Sequence, residues 1–243
     1  MPVAAADQPL YQLVSGAAPA TIDDVVKTME SIDQLLSDGD GLKWFNHLYF
    51  QVTQAVEVRV STGGFTDAAF LAQLDLQFAG LYFGALKNFL LHAALPDCWN
   101  TLFTRRGQVE LARIQFALAG VNAHINHDLP EALVATCAIA GIVPQHGTVQ
   151  YNDYTSLNST LDSLVEEAKQ ELNVRLLGDA LPAASVLENT IAAWSVSAAR
   201  EAAWCNAELL WHLRDETILS SGFERTLDGM TTLVSKSLLV AIP

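Results

Sequence analysis

With 243 residues, 51% of them apolar and only 16% charged, the chain can bury a sizeable core as one large domain or two small ones. A formal charge of −14, with no basic cluster larger than the pair Arg105-Arg106, excludes long-range attraction to nucleic acid or to an anionic membrane surface. Cys98, Cys137 and Cys205 are far apart, odd in number and set in apolar or aromatic contexts, so neither a zinc ribbon nor a redox pair is expected, and they read as reduced core residues of a cytoplasmic protein.

The opening MPVAAADQPLYQLV has no basic region and no long apolar run, so it does not read as a secretory signal. No stretch reaches the roughly 18 uninterrupted apolar residues of a membrane span. Residues 1–20, rich in Ala, Pro and Gly, are expected to form an irregular arm ahead of one helical domain over 21–243. Thr21-Ile-Asp-Asp24 resembles a capping box and starts a helix to about Leu36, which SDGDG breaks. A helix over about 42–60 puts Phe45, Leu48, Val52 and Val56 on one face, with Asn46 and His47 beside it. After STGG, Asp67 caps a helix to about residue 92 whose stripe runs Leu74, Phe78, Leu81, Ala85, Phe89 and His92. Within it Asp75 sits between large apolar residues, with Tyr82 two turns on. A carboxylate in such surroundings is either paired or has a raised pKa.

Pro96-Asp97 begins a short aromatic helix, and a buried helix, LARIQFALAGV, then leads into AGVNAHINHDLP at 119–130. That stretch places Asn122, His124, Asn126, His127 and Asp128 within seven residues of a greasy run. A helix end is expected there, with Asp128 capping a following helix that holds Pro130 in its first turn and runs to about Ala140. GIVPQHGTVQ reads as a loop with His146 exposed, and a helix with an acidic outer face follows from Asp153 to about Leu177. A long helix over about 184–213 carries Trp194, Arg200, Glu201, Trp204, Cys205, Glu208 and His212, is apolar nearly all round, and is expected to be central. A final helix spans about 216–239. Strand alternation is nearly absent. The expected fold is an all-α, single-domain bundle of about eight helices with a buried central helix pair.

Two i, i+4 pairs, His124/Asp128 and Glu208/His212, could each place an imidazole and a carboxylate on one helix face, as metal sites in helical bundles do. His124, His127 and Asp128, with Asp75 or His47 nearby, would offer donors for a divalent zinc or iron ion. The same residues also make a metal-free pocket. His124 or His47 would act as general base, Asp75 or Glu201 as its partner or an acid, and Arg200 as an anchor for an anionic or carbonyl oxygen. Asn122, Asn126, Tyr49, Tyr82 and Trp204 would bind substrate, with Trp44, Phe45, Phe78 and Trp194 as further apolar wall. No phosphate-cradling glycine loop and no GxSxG elbow is present, which disfavours dinucleotide, P-loop and α/β-hydrolase chemistry.

GLKWFNHLYFQVTQAV, FLAQLDLQFAGLYFGAL, FALAGVNAHINHDLPEAL and WSVSAAREAAWCNAELLW resemble successive blocks of an all-helical family of unknown function found in bacteria and fungi. The resemblance spans roughly residues 40–215, with AHINHDLP its most specific block. It implies a fold and a site location, and no reaction. His124, Asp128 and Pro130 are also similar to the HxxxD element of zinc-dependent phospholipases C and related single-strand nucleases, but this chain lacks their N-terminal tryptophan ligand and their HxxxE element.

The expectation is therefore a small-molecule enzyme doing acid–base chemistry (cyclisation, isomerisation or hydrolysis) on a largely apolar substrate. The alternatives are a zinc- or iron-dependent hydrolase of esters or phosphoesters, and a non-catalytic helical binding or scaffold protein that could form a homodimer.

Overall fold

The computed structural model describes residues 2–172 and 195–241, and among them every regular element is helical. The elements are α1 (Gln8–Val14), α2 (Ile22–Leu35), α3 (Gly41–Ser61), α4 (Ala68–Leu90), α5 (Asp97–Phe103), α6 (Arg113–Ala123), a π turn (His124–Asp128), α7 (Leu129–Ala140), α8 (Val149–Thr155), α9 (Asn158–Leu172), α10 (Val196–Leu213) and α11 (Thr217–Leu238). All-α is the fold class. Trp194, the end of the helix expected to about Leu177 and the start of the one expected from about residue 184 lie outside the described residues.

The helix starts follow local chemistry. Thr21 Oγ1 accepts from Asp24 N while Asp24 Oδ2 accepts from Thr21 N, a complete capping box for α2. Asp67 accepts from Phe70 N at the head of α4. The N-terminal segment is more ordered than its composition suggests: α1 packs on α2 and α4 and buries Leu10.

At the centre lies α6, in which every residue from Ile114 to Ala123 is buried. It packs against α3, α5, α9 and α11. Gly120 makes the approach to α3 possible, since a Cβ there would sit 2.3 Å from Phe45 Cγ. Gln115 donates from Nε2 to Leu238 O and Val240 O, tying the chain's last helix to α6.

By contrast α10, expected to be central, buries only Val196, Arg200, Ala203, Trp204, Ala207 and Leu210. Its Leu209 and Cys205 are exposed, so Cys205 is not a core cysteine, unlike Cys98 and Cys137. The many alanines that make its composition look apolar all round also line its solvent side. His92 is not on the α4 stripe either: the helix ends at Leu90, and His92 is exposed with φ +55°, beyond the last turn. By length and composition α4 is apolar enough to cross a membrane, yet half of that window is buried against the rest of the bundle.

Candidate active site

The segment expected to end one helix and start another does neither. The chain stays helical from Arg113 to Ala140, and the extra residue is absorbed in the π turn, where Leu129 N bonds back five residues to His124 O. Pro130 follows directly and has no N–H to give, so the wider turn relieves the clash and the missing bond that a proline imposes on an α-helix. Asp128 has helical angles and makes no cap bond. Its carboxylate points inward instead.

There it gathers three donors. Asp128 Oδ2 lies 2.9 Å from His124 Nδ1 and accepts from Trp99 Nε1 at 3.0 Å. Oδ1 lies 2.8 Å from His127 Nδ1 and 3.2 Å from the same indole nitrogen. Burial alone would raise the Asp128 pKa, but the bonds from the two imidazoles outweigh it and hold the carboxyl below its ordinary value. Burial lowers the His124 pKa more than Asp128 raises it, so the ring favours its neutral form with the proton on Nδ1. For His127, burial is outweighed by Asp128, Glu131 and Asp228, and its pKa is raised.

His124 then presents a bare nitrogen. Nε2 is buried and has no hydrogen-bond partner among the described residues. The ring stacks on Phe78 with centroids 3.4 Å apart and meets Tyr49 edge-on at 4.4 Å. It forms part of the wall of a cavity of about 60 Å³ that is otherwise almost wholly apolar, lined by Phe45, Leu48, Tyr49, Phe78, Ile125 and Arg200 among others. A second cavity of about 50 Å³ shares Tyr49, Val52, Phe78, Leu161 and Arg200 with the first and is lined also by Asp75.

Two further buried polar atoms belong to residues that line these cavities. Asp75 Oδ2 is buried and unbonded among the described residues, and Tyr49 Oη is buried beside Thr53 with no well-formed hydrogen bond. Burial, with a smaller contribution from Glu57, pushes the Asp75 carboxyl up to about 7. Burial also raises the Tyr49 phenol, which stays protonated. Arg200 is buried but anchored: Nε donates to Asn158 Oδ1 and Nη2 to Tyr154 O, each at 2.8 Å, and the guanidinium stacks on the Tyr154 ring. Its Nη1 makes no bond to a described residue. His124, Asp75, Tyr49 and Arg200 therefore come together around two adjoining cavities, as their residue types suggest.

The other candidates go elsewhere. His47 turns toward α2, with Nδ1 3.2 Å from Asp33 and Nε2 3.3 Å from Gln51, and lines neither cavity. It sits one helical step off the Phe45–Leu48–Tyr49–Val52 face. Glu201 lies on the outer side of α10, accepting from Tyr151 Oη and contacting His146. Asn122 donates to Thr231 O and Ser235 Oγ, and Asn126 donates to Asn122 Oδ1, so both fasten the π turn to α11. Tyr82 donates to Asn46 behind the Phe45 ring, and Trp204 donates to Glu208. Neither of these two, nor Trp44, borders the cavities.

The pair Glu208/His212 does not form. Glu208 Oε1 instead lies 2.6 Å from His146 Nδ1, while His212 is exposed. The ligand set His124, His127 and Asp128 is also not assembled, because the Asp128 oxygens are occupied by the two imidazoles and the indole.

On the far side of the π turn a different group meets. Cys98, His127 and Asp228 each bring one possible ligand atom within 4.8 Å of the others. Asp228, from α11, accepts from Asp97 N and Cys98 N and so caps α5 across 130 residues of sequence. Glu131 stands beside it, its Oε1 3.7 Å from His127 Nε2, and burial pushes its carboxyl up to about 7. The sequence marks none of Cys98, Trp99, Glu131 and Asp228 as a site residue, and Cys98 reads there as a core cysteine. The only hint was Trp99 and Cys98 in a short aromatic helix.

A family profile described as a family of unknown function, DUF5995, matches residues 22–241. The chain belongs to that family. Its matched span contains every residue of both clusters. No curated protein and no solved structure matches the chain. Nothing found supports the likeness to zinc-dependent phospholipases C, and Asp128 is not free to act as their element requires. Membership of DUF5995 brings no reaction with it, so the chemistry must come from the geometry.

Proposed function

We propose that this DUF5995 protein is an acid–base enzyme that moves a proton on a small, largely apolar carbonyl compound, an isomerisation or a cyclisation through an enol. The observation that carries this reading is the unpartnered Nε2 of His124 in the wall of an apolar cavity. An imidazole held by a carboxylate at Nδ1 keeps its lone pair on Nε2 and is a base matched to neutral pH.

In the proposed step Nε2 takes the proton from a carbon next to the carbonyl. The C–H pair becomes the new C=C bond, and the carbonyl π pair moves to oxygen. Tyr49 Oη and the neutral form of Asp75 are hydrogen-bond donors in a dry site, suited to the developing oxyanion, and Arg200 Nη1 supplies positive charge beside them. Returning the proton to a different carbon completes an isomerisation. Hydrolysis is less well served, since the walls give a water nucleophile few polar contacts. Cavities of this size hold only a few non-hydrogen atoms, so the reacting fragment is small.

Proton abstraction can be read without knowing the natural substrate. The protein in heavy water is incubated with a panel of small apolar ketones and enones, and deuterium entry next to the carbonyl is followed by NMR. Wild type is expected to accelerate exchange of at least one member, and His124→Gln to lose about a hundredfold or more of that acceleration. Exchange at the same rate with wild type and His124→Gln across the panel would remove the basis for the assignment.

A further inference from the structure

The structure points to a divalent metal site, which we assign to zinc-like ions, on the opposite side of the π turn from the His124 cavity. Its ligands are Cys98 Sγ, a ring nitrogen of His127 and an Asp228 carboxylate oxygen, with the fourth position left to solvent or, after a side-chain movement, to Glu131. The assignment stands apart from the acid–base role of His124.

Four observations converge. First, the three donors come from α5, the π turn and α11, far apart in sequence, yet their ligand atoms lie within 4.8 Å of one another. Tetrahedral zinc with sulfur, nitrogen and oxygen ligands separates them by roughly 3.3–3.8 Å, so side-chain adjustments of about 1 Å close the site. Second, a further carboxylate borders the group, Glu131 Oε1 lying 3.7 Å from His127 Nε2. Third, Nε2 is the ring nitrogen of His127 left free for a metal. His127 Nδ1 is engaged by Asp128, itself oriented by Trp99, and a carboxylate on the far nitrogen is the usual support of a metal-bound imidazole. Fourth, Asp228 is fixed by two backbone N–H groups of α5 and keeps lone pairs for a cation.

The donor chemistry selects the ion. One thiolate, one imidazole and carboxylates suit zinc or cobalt and disfavour magnesium or calcium. Cys98 and His127 are buried, and Glu131 is a third exposed at its side chain, on the solvent side of the site. Cys98 therefore has a role that core packing does not require, and the histidine-rich turn faces two sites: a base on one side and a ligand on the other, with Asp128 between them.

The test loads the purified full chain with Co²⁺, removes excess ion, and records elemental content and the near-ultraviolet spectrum. About one equivalent is expected, with a thiolate-to-cobalt charge-transfer band. A second cluster, His146, Glu201 and Cys205, is exposed and supplies the competing explanation. Cys205→Ala lies on the surface and should fold, and it should keep both the ion and the band. Cys98→Ala and His127→Gln should lose the band or most of the affinity. X-ray absorption on zinc-loaded Cys205→Ala should show one sulfur in the coordination shell, which holds even if the core variants fail to fold. Failure of folded wild type to retain an ion, a shell of only nitrogen and oxygen, or loss of the band in Cys205→Ala would each overturn the assignment.

Discussion

Of the histidines held by carboxylates in this molecule, His124 and His146 have opposite surroundings. His124 is buried, bonds Asp128 through one nitrogen, and leaves the other bare in an apolar cavity. His146 is exposed and gives both nitrogens to carboxylates, Nδ1 to Glu208 at 2.6 Å and Nε2 to Glu201 at 2.9 Å. The first arrangement is costly and unsaturated, which suits chemistry. The second is screened and saturated, which suits a surface brace between the 141–148 loop and α10. The same pair of functional groups thus does different work according to what water can reach.

The sharpest way to break the buried side is Asp128→Ala. It strands the indole N–H of Trp99 and the Nδ1–H groups of His124 and His127 in the core. Removing one partner from such a buried network costs about 3–5 kcal/mol. The matching surface change, Glu208→Gln, should cost no more than about 1 kcal/mol. Denaturant unfolding of both variants measures the difference. Equal losses would mean that Asp128 does not hold a buried hydrogen-bond network.

Asp75 sharpens the comparison through pH. Its carboxyl is raised from 3.8 to about 7 in the folded protein, chiefly by burial and then by Glu57. The unfolded chain therefore releases this proton first, and folding stability falls as pH rises from about 4 to about 7. The cost above that window is about 4 kcal/mol at most. Asp75→Asn should remove the slope, so that the variant is the more stable protein at alkaline pH and no better at acidic pH. Urea titrations of both proteins across the window give the sign directly. An unchanged slope in the variant would show that Asp75 is not the group responsible.

Smaller still is the expected effect of Gly120→Ala. The new Cβ would meet the Phe45 ring at 2.3 Å, and the ring is itself a wall of the His124 cavity. Overpacking of this kind costs about 1–3 kcal/mol. Because Phe45 must shift, the ketone exchange rate should fall along with stability. A stability loss with unchanged exchange would separate the packing of α3 on α6 from the chemistry.

The helices were legible in the sequence because caps and periodicity are local. Thr21, Asp67 and the stripe from Leu74 to Phe89 carry their own instructions. His124, Asp75, Tyr49 and Arg200 were legible for another reason: polar groups inside apolar runs must be placed somewhere inward. Which neighbour receives a flank residue is not local information. His47 and Asn122 sit beside apolar faces just as His124 does, yet one meets α2 and the other α11. Asp128 shows the limit most clearly. Followed by Leu-Pro-Glu, it carries every signal of an N-cap, and only the π turn, which suits Pro130 without ending the helix, turns the carboxylate inward. Asp228 could not be found at all, since its partners Asp97 and Cys98 lie 131 and 130 residues away.

The smallest effect belongs to His146. Bonds from Glu201 and then Glu208 raise its pKa above the ordinary 6.5. The folded state thus binds this proton more tightly than the unfolded chain does. The stabilisation is complete below pH 6.5 and is lost as pH rises through the elevated folded value. With side chains 40% and 44% exposed for His146 and Glu201, solvent screening keeps the effect under about 1 kcal/mol. His146→Gln should therefore flatten a shallow pH dependence just above neutrality, and added salt should flatten it in wild type as well. The Asp75 slope runs in the same direction but ends near pH 7, and burial protects it from salt. Comparing His146→Gln with the double variant Asp75→Asn, His146→Gln separates the two: a dependence that salt cannot remove from the single variant and that the double variant lacks belongs to the buried carboxyl. If salt abolished both slopes, Asp75 would be reached by solvent, and the contrast between the dry and the wet cluster would fail.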